Sequence, residues 1–288
     1  MDEATRKKIR TSIKDLPTLP TIATQIFSIT SNPDSTVEDL KRIISTDQVV
    51  AGRIMKAVNS AYYGFPRQID SLSKAIVILG FNNVRSITLS VSMMEVYSKS
   101  SPTGIDYGEL WSHAVGTAHC ARALARDIAP RNTEQFFVAG LLHDIGIVAI
   151  NQCFPEKFNK CMKEASEQKR PFYEIENEIF NFNHADVGEF IADSWLLPDI
   201  LVKSIGCHHR PQDAVDAVEL AYAVHTADIL CKLSSFGNFG DNEPFSLDSI
   251  YEPAKNMFGI SKEGLTKELK KDIIESLEEA ASFIKGLS

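Results

Sequence analysis

Residues 134–150, EQFFVAGLLHDIGIVAI, set a histidine–aspartate pair, His143–Asp144, at the end of the apolar helix FFVAGLL, with Gly146 placed to stop it. The stretch shows no alternation of polar and apolar residues, and neither does any other segment of strand length between 107 and 233. YGELWSHAVGTAHCARALARDIA (107–129), HADVGEFIADSWLL (184–197), ILVKSIGCHH (200–209) and VELAYAVHTADILCKL (218–233) all read as helices. The fold class expected from this pattern is all-α.

The same reading extends towards the N-terminus. Ile22, Ile26 and Ile29 recur at helical spacing behind the stiff LPTLP of residues 16–20. Thr36 and Asp39 form a T-x-x-D capping pattern ahead of Leu40, Ile43 and Ile44, and Asp47 precedes a third helix that ends at Asn59. AYYGFP breaks the pattern at Gly64 and Pro66. AIVILG could be a buried strand by periodicity alone, but Ser71 as a cap and Gly80 as a stop favour helix, with Asn82 opening the next. The polar SKSSPTG of residues 98–104 marks a junction between two subdomains. At the other end, the Gly/Asn-rich SFGNFGDNEP leads to a tail helix with Leu265, Leu269, Ile273, Leu277 and Ala281 in a stripe. Packing of that stripe onto the chain's own body is preferred to a partner.

Composition bounds the function. The 288 residues are 44% hydrophobic and 24% charged, enough for a core and not the balance of a disordered chain. A net charge of −8 makes nucleic acid a poor partner, because binding a phosphate backbone relies on clustered Lys and Arg. The helix pair around Thr46–Asp47 imitates a helix-turn-helix, but Arg42, Arg53, Lys56 and Arg67 are interspersed with acids, as on a solvated face. MDEATRKKIR has no apolar leader core, and runs such as AIVILGF are too short to span a bilayer, so no membrane association is expected. Five cysteines without a C-x-x-C pair read as reduced thiols of a cytoplasmic protein.

All seven histidines fall between residues 113 and 225, mostly beside acids. Glu109 and His113 share a helix face, as do His225 and Asp228. His119, beside Cys120 on an Ala-rich face, reads as a core residue; His225 stands evenly between a core residue and one supporting a ligand. The HD pair together with the pair His208–His209 points instead to a first-row divalent metal, for which neutral imidazole and carboxylate are suited donors. No phosphate-binding Gly-rich loop and no GxSxG elbow is present, and Cys207 reads as a packed thiol.

LPTLP, Asp47, Asn59–Ser60–Ala61, Gly64, Ala75–Ile76 and Gly80 resemble the HDOD family of bacterial signalling proteins, through most of residues 14–235. The resemblance implies an N-terminal helical subdomain (14–100), a subdomain like the HD metal-dependent phosphohydrolases (107–235), and a loop with a C-terminal helical extension (236–288). It implies a regulatory role exercised through a signalling partner; many members have lost the metal ligands. This chain departs from that loss. Its ligand order is similar to that of the HD-GYP phosphodiesterases: His113, His143–Asp144, His184, His208–His209 and Asp228, with Glu109 where some members carry a further carboxylate. The likeness implies two transition ions (Fe, Mn, Ni or Zn), bridged by Asp144, which would help position the attacking hydroxide. The lysine that usually follows HDIG and contacts substrate phosphate is Ile147 here, and the GYP segment is missing from HHRPQDAVDA. Arg210 or Lys203 could supply the cation; the residues leave that open. The expected function is a signalling protein with a di-metal site. The alternative is a weakly active metal-dependent phosphohydrolase on a nucleotide or other phosphoester, and a DNA-binding regulator stands last.

Overall fold

The computed structural model describes Met1 and residues 3–7, 21–30, 34–240 and 245–287, so LPTLP lies outside the described residues. Among the described residues, the chain from Thr21 onward forms fourteen α-helices and two short 3-10 turns, with no strand beyond a single Ser261–Gly264 bridge. The all-α expectation holds.

The first four helices are α1 (Thr21–Thr30), α2 (Val37–Ile44), α3 (Gln48–Val58) and α4 (Leu72–Tyr97). Their starts are set by short polar side chains, which supply acceptors for backbone N–H groups that have no partner inside the helix. Thr36 Oγ1 accepts from Asp39 N (3.2 Å) and Asp39 Oδ2 accepts from Thr36 N (3.1 Å), a complete capping box. Asp47 Oδ1 accepts from Val49 N and Val50 N at 2.9 and 3.0 Å. Ser71 Oγ accepts from Lys74 N. Gly80, at φ 77°, takes a conformation that side chains with a Cβ avoid, and kinks α4 into two helical halves there. Between α3 and α4, Asn59 clamps the AYYGFP loop: its amide donates to Ile69 O (2.9 Å) and its carbonyl accepts from Ile69 N (2.7 Å).

The second block comprises α5 (Tyr107–Ile128), α6 (Thr133–Leu142), α7 (Ile145–Cys153), α8 (Pro155–Gln168), α9 (Phe172–Phe180), α10 (His184–Ser194), α11 (Asp199–Gly206) and α12 (Val218–Leu233). It is followed by α13 (Glu252–Phe258) and α14 (Lys267–Leu287). Helix α5 is the axis of the molecule, and α6, α12 and α14 all lie against it. Ala114, Ala118, Ala121 and Ala125 are fully buried on α5, and such small side chains allow close helix approach. Buried apolar residues form one continuous cluster from Ile22 to Leu287, beside a small satellite around Ala214, Ala217 and Ala221.

The tail helix packs on α5 and α3. Its buried seam is Ile273, Ser276, Ala280, Phe283 and Leu287, whereas Leu265, Leu269 and Leu277 flank it half-buried. A strict four-residue stripe drifts around a helix of 3.6 residues per turn, so the core-facing seam alternates steps of three and four. Two helical stretches, Leu72–Tyr97 and Thr133–Cys153, are long and apolar enough to cross a membrane, contrary to the reading from short apolar runs. They lie 61% and 94% buried within the fold, as core helices do.

Candidate metal centre

The HD pair is itself the break between two helices. Helix α6 ends at Leu142, His143 and Asp144 form the corner, and α7 starts at Ile145. Gly146 lies inside α7 and therefore does not stop the helix. A Cβ there would fall 2.0 Å from His184 O, so the glycine is needed for close approach of α7 to the start of α10. That approach brings His184 to Asp144. Asn183 and Asp186 form a capping box around the same helix start.

Asp144 sits between two groups of ligand atoms. On one side its Oδ2 lies 3.1 Å from His143 Nε2 and 3.6 Å from His113 Nε2. The same two nitrogens are 3.7 and 3.0 Å from Asp228 Oδ1. On the other side Asp144 Oδ1 lies 3.3 Å from His184 Nε2 and 3.6 Å from His208 Nε2, and His209 Nε2 is 2.7 Å from His184 Nε2. All seven of these side chains, expected together from the sequence, are together. Six are buried, and His209 is half-buried with its ring stacked on Tyr173 at 4.3 Å.

The rings are aimed by their rear nitrogens. His143 Nδ1 donates to Gly140 O and His208 Nδ1 to Ile205 O, both at 2.7 Å, which leaves each Nε2 lone pair facing inward. His184 Nδ1 donates instead to the buried carboxylate of Glu176. His225 stays outside the cluster: Tyr251 N donates to its Nε2 (3.0 Å) and its Nδ1 donates to His208 O (2.8 Å), so it braces the backbone of a cluster residue.

Charge in the cluster is strongly redistributed. Burial opposes protonation of His143, but the adjacent Asp144 carboxylate outweighs it and lifts its pKa to about 9. The balance at His184 is similar, with Glu176 and Asp144 lifting it to about 10 against the effect of burial. Burial and the charge of His143 push His208 down to about 3, and burial beside His208 and His184 holds His209 well below its usual range. Burial would raise Asp144 and Asp228, yet the cations around them hold both well below the ordinary carboxylate range.

This donor set fits divalent metal. His143 Nε2, His208 Nε2 and Asp144 Oδ2 are buried without a hydrogen-bond partner, although carboxylate and imidazole lie close by. Leaving such atoms unpaired is costly unless a cation completes them. Three overlapping sets of ligand atoms meet within 4.8 Å: His113–His143–Asp228, His143–Asp144–His208 and His184–His208–His209.

Several sequence expectations resolve differently. Glu109 is exposed and accepts from Asn238 N (3.1 Å), one turn of α5 away from His113 and in none of these sets. Lys203 pairs with Glu189 at 2.6 Å and Arg210 with Asp186 at 3.4 Å, both beside a cavity of about 680 Å³ that none of the clustered histidines lines. Ile147 is buried in α7. The cation at the cluster is Lys232, missed in the sequence although it follows Asp228 by one helical turn; its Nζ is 3.2 Å from Asp228 Oδ1 and 4.5 Å from the centre of the Phe245 ring. Glu176 was also missed, for α9 carries three glutamates at two-residue spacing and nothing local marks the one turned inward. His209 and Asp228 open onto a cavity of about 190 Å³, bordered by Tyr173, Gln212, Phe245 and Tyr251.

A model of the HDOD domain matches residues 16–211. The chain belongs to the HDOD domain family. An HDOD domain protein of unknown function from Geobacter sulfurreducens is similar over 99% of both chains, at 26% identity and a TM-score of 0.79. A Shewanella amazonensis protein provisionally named a phosphohydrolase shares the fold over 98% of both chains, at 21% identity and a TM-score of 0.76. An uncharacterized protein of Treponema pallidum is 27% identical over 199 residues, and this chain spans 38% of its length. The HDOD match ends at residue 211, so Asp228, Lys232 and α14 join the centre and the fold from beyond it.

Proposed function

We propose that this HDOD protein is a bacterial, cytoplasmic signalling protein that holds two divalent transition ions (Fe, Mn, Ni or Zn) and acts mainly by presenting its surface to a protein partner. The observation that carries the metal reading is the split of Asp144, with Oδ2 facing His113 and His143 and Oδ1 facing His184 and His208. A carboxylate so placed can bridge two ions. When bound, such ions supply Lewis acidity and a hydroxide near neutral pH. The protein's part is to hold the imidazole lone pairs inward and keep the centre dry.

The regulatory reading rests on the approach to the centre. A cavity of about 190 Å³ lies below the roughly 300–1,000 Å³ of pockets that enclose drug-sized ligands, which favours a small phosphoester over a cyclic dinucleotide there. Position 147, the phosphate-contacting lysine in the enzymes it is similar to, is a buried isoleucine. A second reading, weak hydrolysis of a small phosphoester, is favoured by Lys232, whose ammonium stands beside Asp228. The deciding experiment is elemental analysis of the purified protein followed by a phosphoesterase screen with added Mn²⁺. One to two ions per chain with negligible cyclic dinucleotide turnover supports the regulator. Efficient turnover that disappears in Asp144→Ala overturns it in favour of the enzyme.

A further inference from the structure

Glu176 is fully buried, and its carboxylate pairs with the ring of His184. Its Oε2 accepts from both His184 Nδ1 and His184 N, the latter at 3.0 Å, and its Oε1 has no hydrogen-bond partner. A buried carboxylate is costly unless something compensates it. The other nitrogen of the His184 ring points at Asp144 Oδ1 and His209.

The two sides of Asp144 differ in charge. The His113–His143 side has the Asp228 carboxylate among its donor atoms. On the other side, among the described residues, the grouped donors are the three imidazoles of His184, His208 and His209, with the shared Asp144 beside them. Glu176 supplies the missing negative charge from behind. A carboxylate bonded to the rear N–H of a ligating imidazole fixes its tautomer and makes its free nitrogen a stronger donor than a backbone carbonyl does. His143 and His208 have only carbonyls behind them.

Resting on the metal reading above, we infer that Glu176 is the positioning residue that strengthens His184–His208–His209 as a second metal site, so that without it the second ion alone binds more weakly. The glutamate touches no ion; it acts through His184. Its removal therefore separates the two sides, which loss of the shared Asp144 cannot do.

The test is titration of metal-free full-length protein with Mn²⁺ and with Co²⁺, followed by calorimetry and by the visible absorption of bound Co²⁺. The variants are Glu176→Gln, which keeps the acceptor and removes the charge, and Glu176→Met, which keeps the volume and removes both. The expected wild-type result is two ions. Each variant should keep the first with unchanged affinity and bind the second about 10–100-fold more weakly, with loss of one set of Co²⁺ bands. Asp228→Asn should weaken the opposite site and leave the Glu176-dependent one. A merely structural role would lower stability without selecting one ion. Two ions of unchanged affinity in a folded Glu176→Gln or Glu176→Met protein overturn this inference alone. A wild type that takes up no transition metal overturns the metal reading and this inference with it.

Discussion

Helix α5 carries two buried histidines six residues apart, and their surroundings are built in opposite ways. His113 faces Asp144 and Asp228, in a cluster where imidazole nitrogens and carboxylate oxygens meet without enough hydrogen-bond donors to pair them. His119 faces Arg122, whose Nη2 donates to His119 Nδ1 (3.1 Å) and to Tyr62 Oη (2.7 Å). The same guanidinium lies 3.5 Å from Glu134 and from Glu279, and Ser86 Oγ donates to Glu134 at 2.6 Å. Tyr62, Phe137 and Phe283 pack round the His119 ring. In one cluster Lys232 pairs with Asp228, and the converging acceptors around Asp144 call for a further cation; in the other Arg122 sits among its partners and ties α14 and the Tyr62 loop to α5. Burial of a histidine therefore says little about its task, whereas the sign of the charges that meet it says a great deal.

The widest separation between the regions should appear in metal content. Asp144→Ala removes the atom pair shared by both sides and should lose most of the bound metal, while His119→Ala should retain it. Equal stoichiometry of the two variants by elemental analysis would erase the distinction. The next largest effect is on stability. Ile147→Lys restores the residue type of related enzymes but places an ammonium in a site 1% exposed, and should cost about 3–5 kcal/mol in denaturant unfolding without raising cyclic dinucleotide turnover. A stable, newly active Ile147→Lys protein would mean that the side chain reaches the metal centre.

The His119 cluster should also report pH. Burial, reinforced by Arg122 and Arg126 and opposed by Glu279, depresses its pKa to about 4 from the ordinary 6.5. Between those values the unfolded chain binds the proton and the folded chain does not, so stability should fall as pH drops from about 6.5 to about 4, then level off. The effect is bounded by about 3 kcal/mol at 1.36 kcal/mol per unit. Glu279, held below its ordinary range by the neighbouring His119 and Arg122, adds a loss in the same direction at more acid pH. Thermal melts of wild type and His119→Gln across that window check the slope, which should be shallower in the variant. The smallest effect is expected for Arg122→Met, about 2 kcal/mol from lost charge-assisted hydrogen bonds. Its metal content should be unchanged; a simultaneous loss of metal would show that the two clusters are coupled along α5.

What could be read in the residues was whatever depends on near neighbours. Thr36, Asp47 and Ser71 cap helices because each needs only the N–H groups two or three residues on. Gly80 interrupts α4 for an equally local reason, its freedom at positive φ. The HD and HH pairs were legible as candidate metal donors, and the order of the full candidate set came from the resemblance to the HD-GYP enzymes. Gly146 was legible as special but not as what it is: its need for a bare Cα comes from His184 O, thirty-eight residues along the chain. The tail stripe was legible as apolar, while the seam actually buried depended on how α14 meets α5.

Sequence alone determined a helical chain with its imidazoles confined to residues 113–225, mostly beside carboxylates. Only the tertiary structure decided that Asp144 divides those donors, that Glu176 rather than Glu174 or Glu178 turns inward, and that Lys232 rather than Lys203 or Arg210 stands at the centre. The physical reason is the length of chain between partners. His113 and Asp228 are 115 residues apart and meet at 3.0 Å because α12 packs across α5, a choice made by the shape and burial of whole helix faces and written in no local pattern.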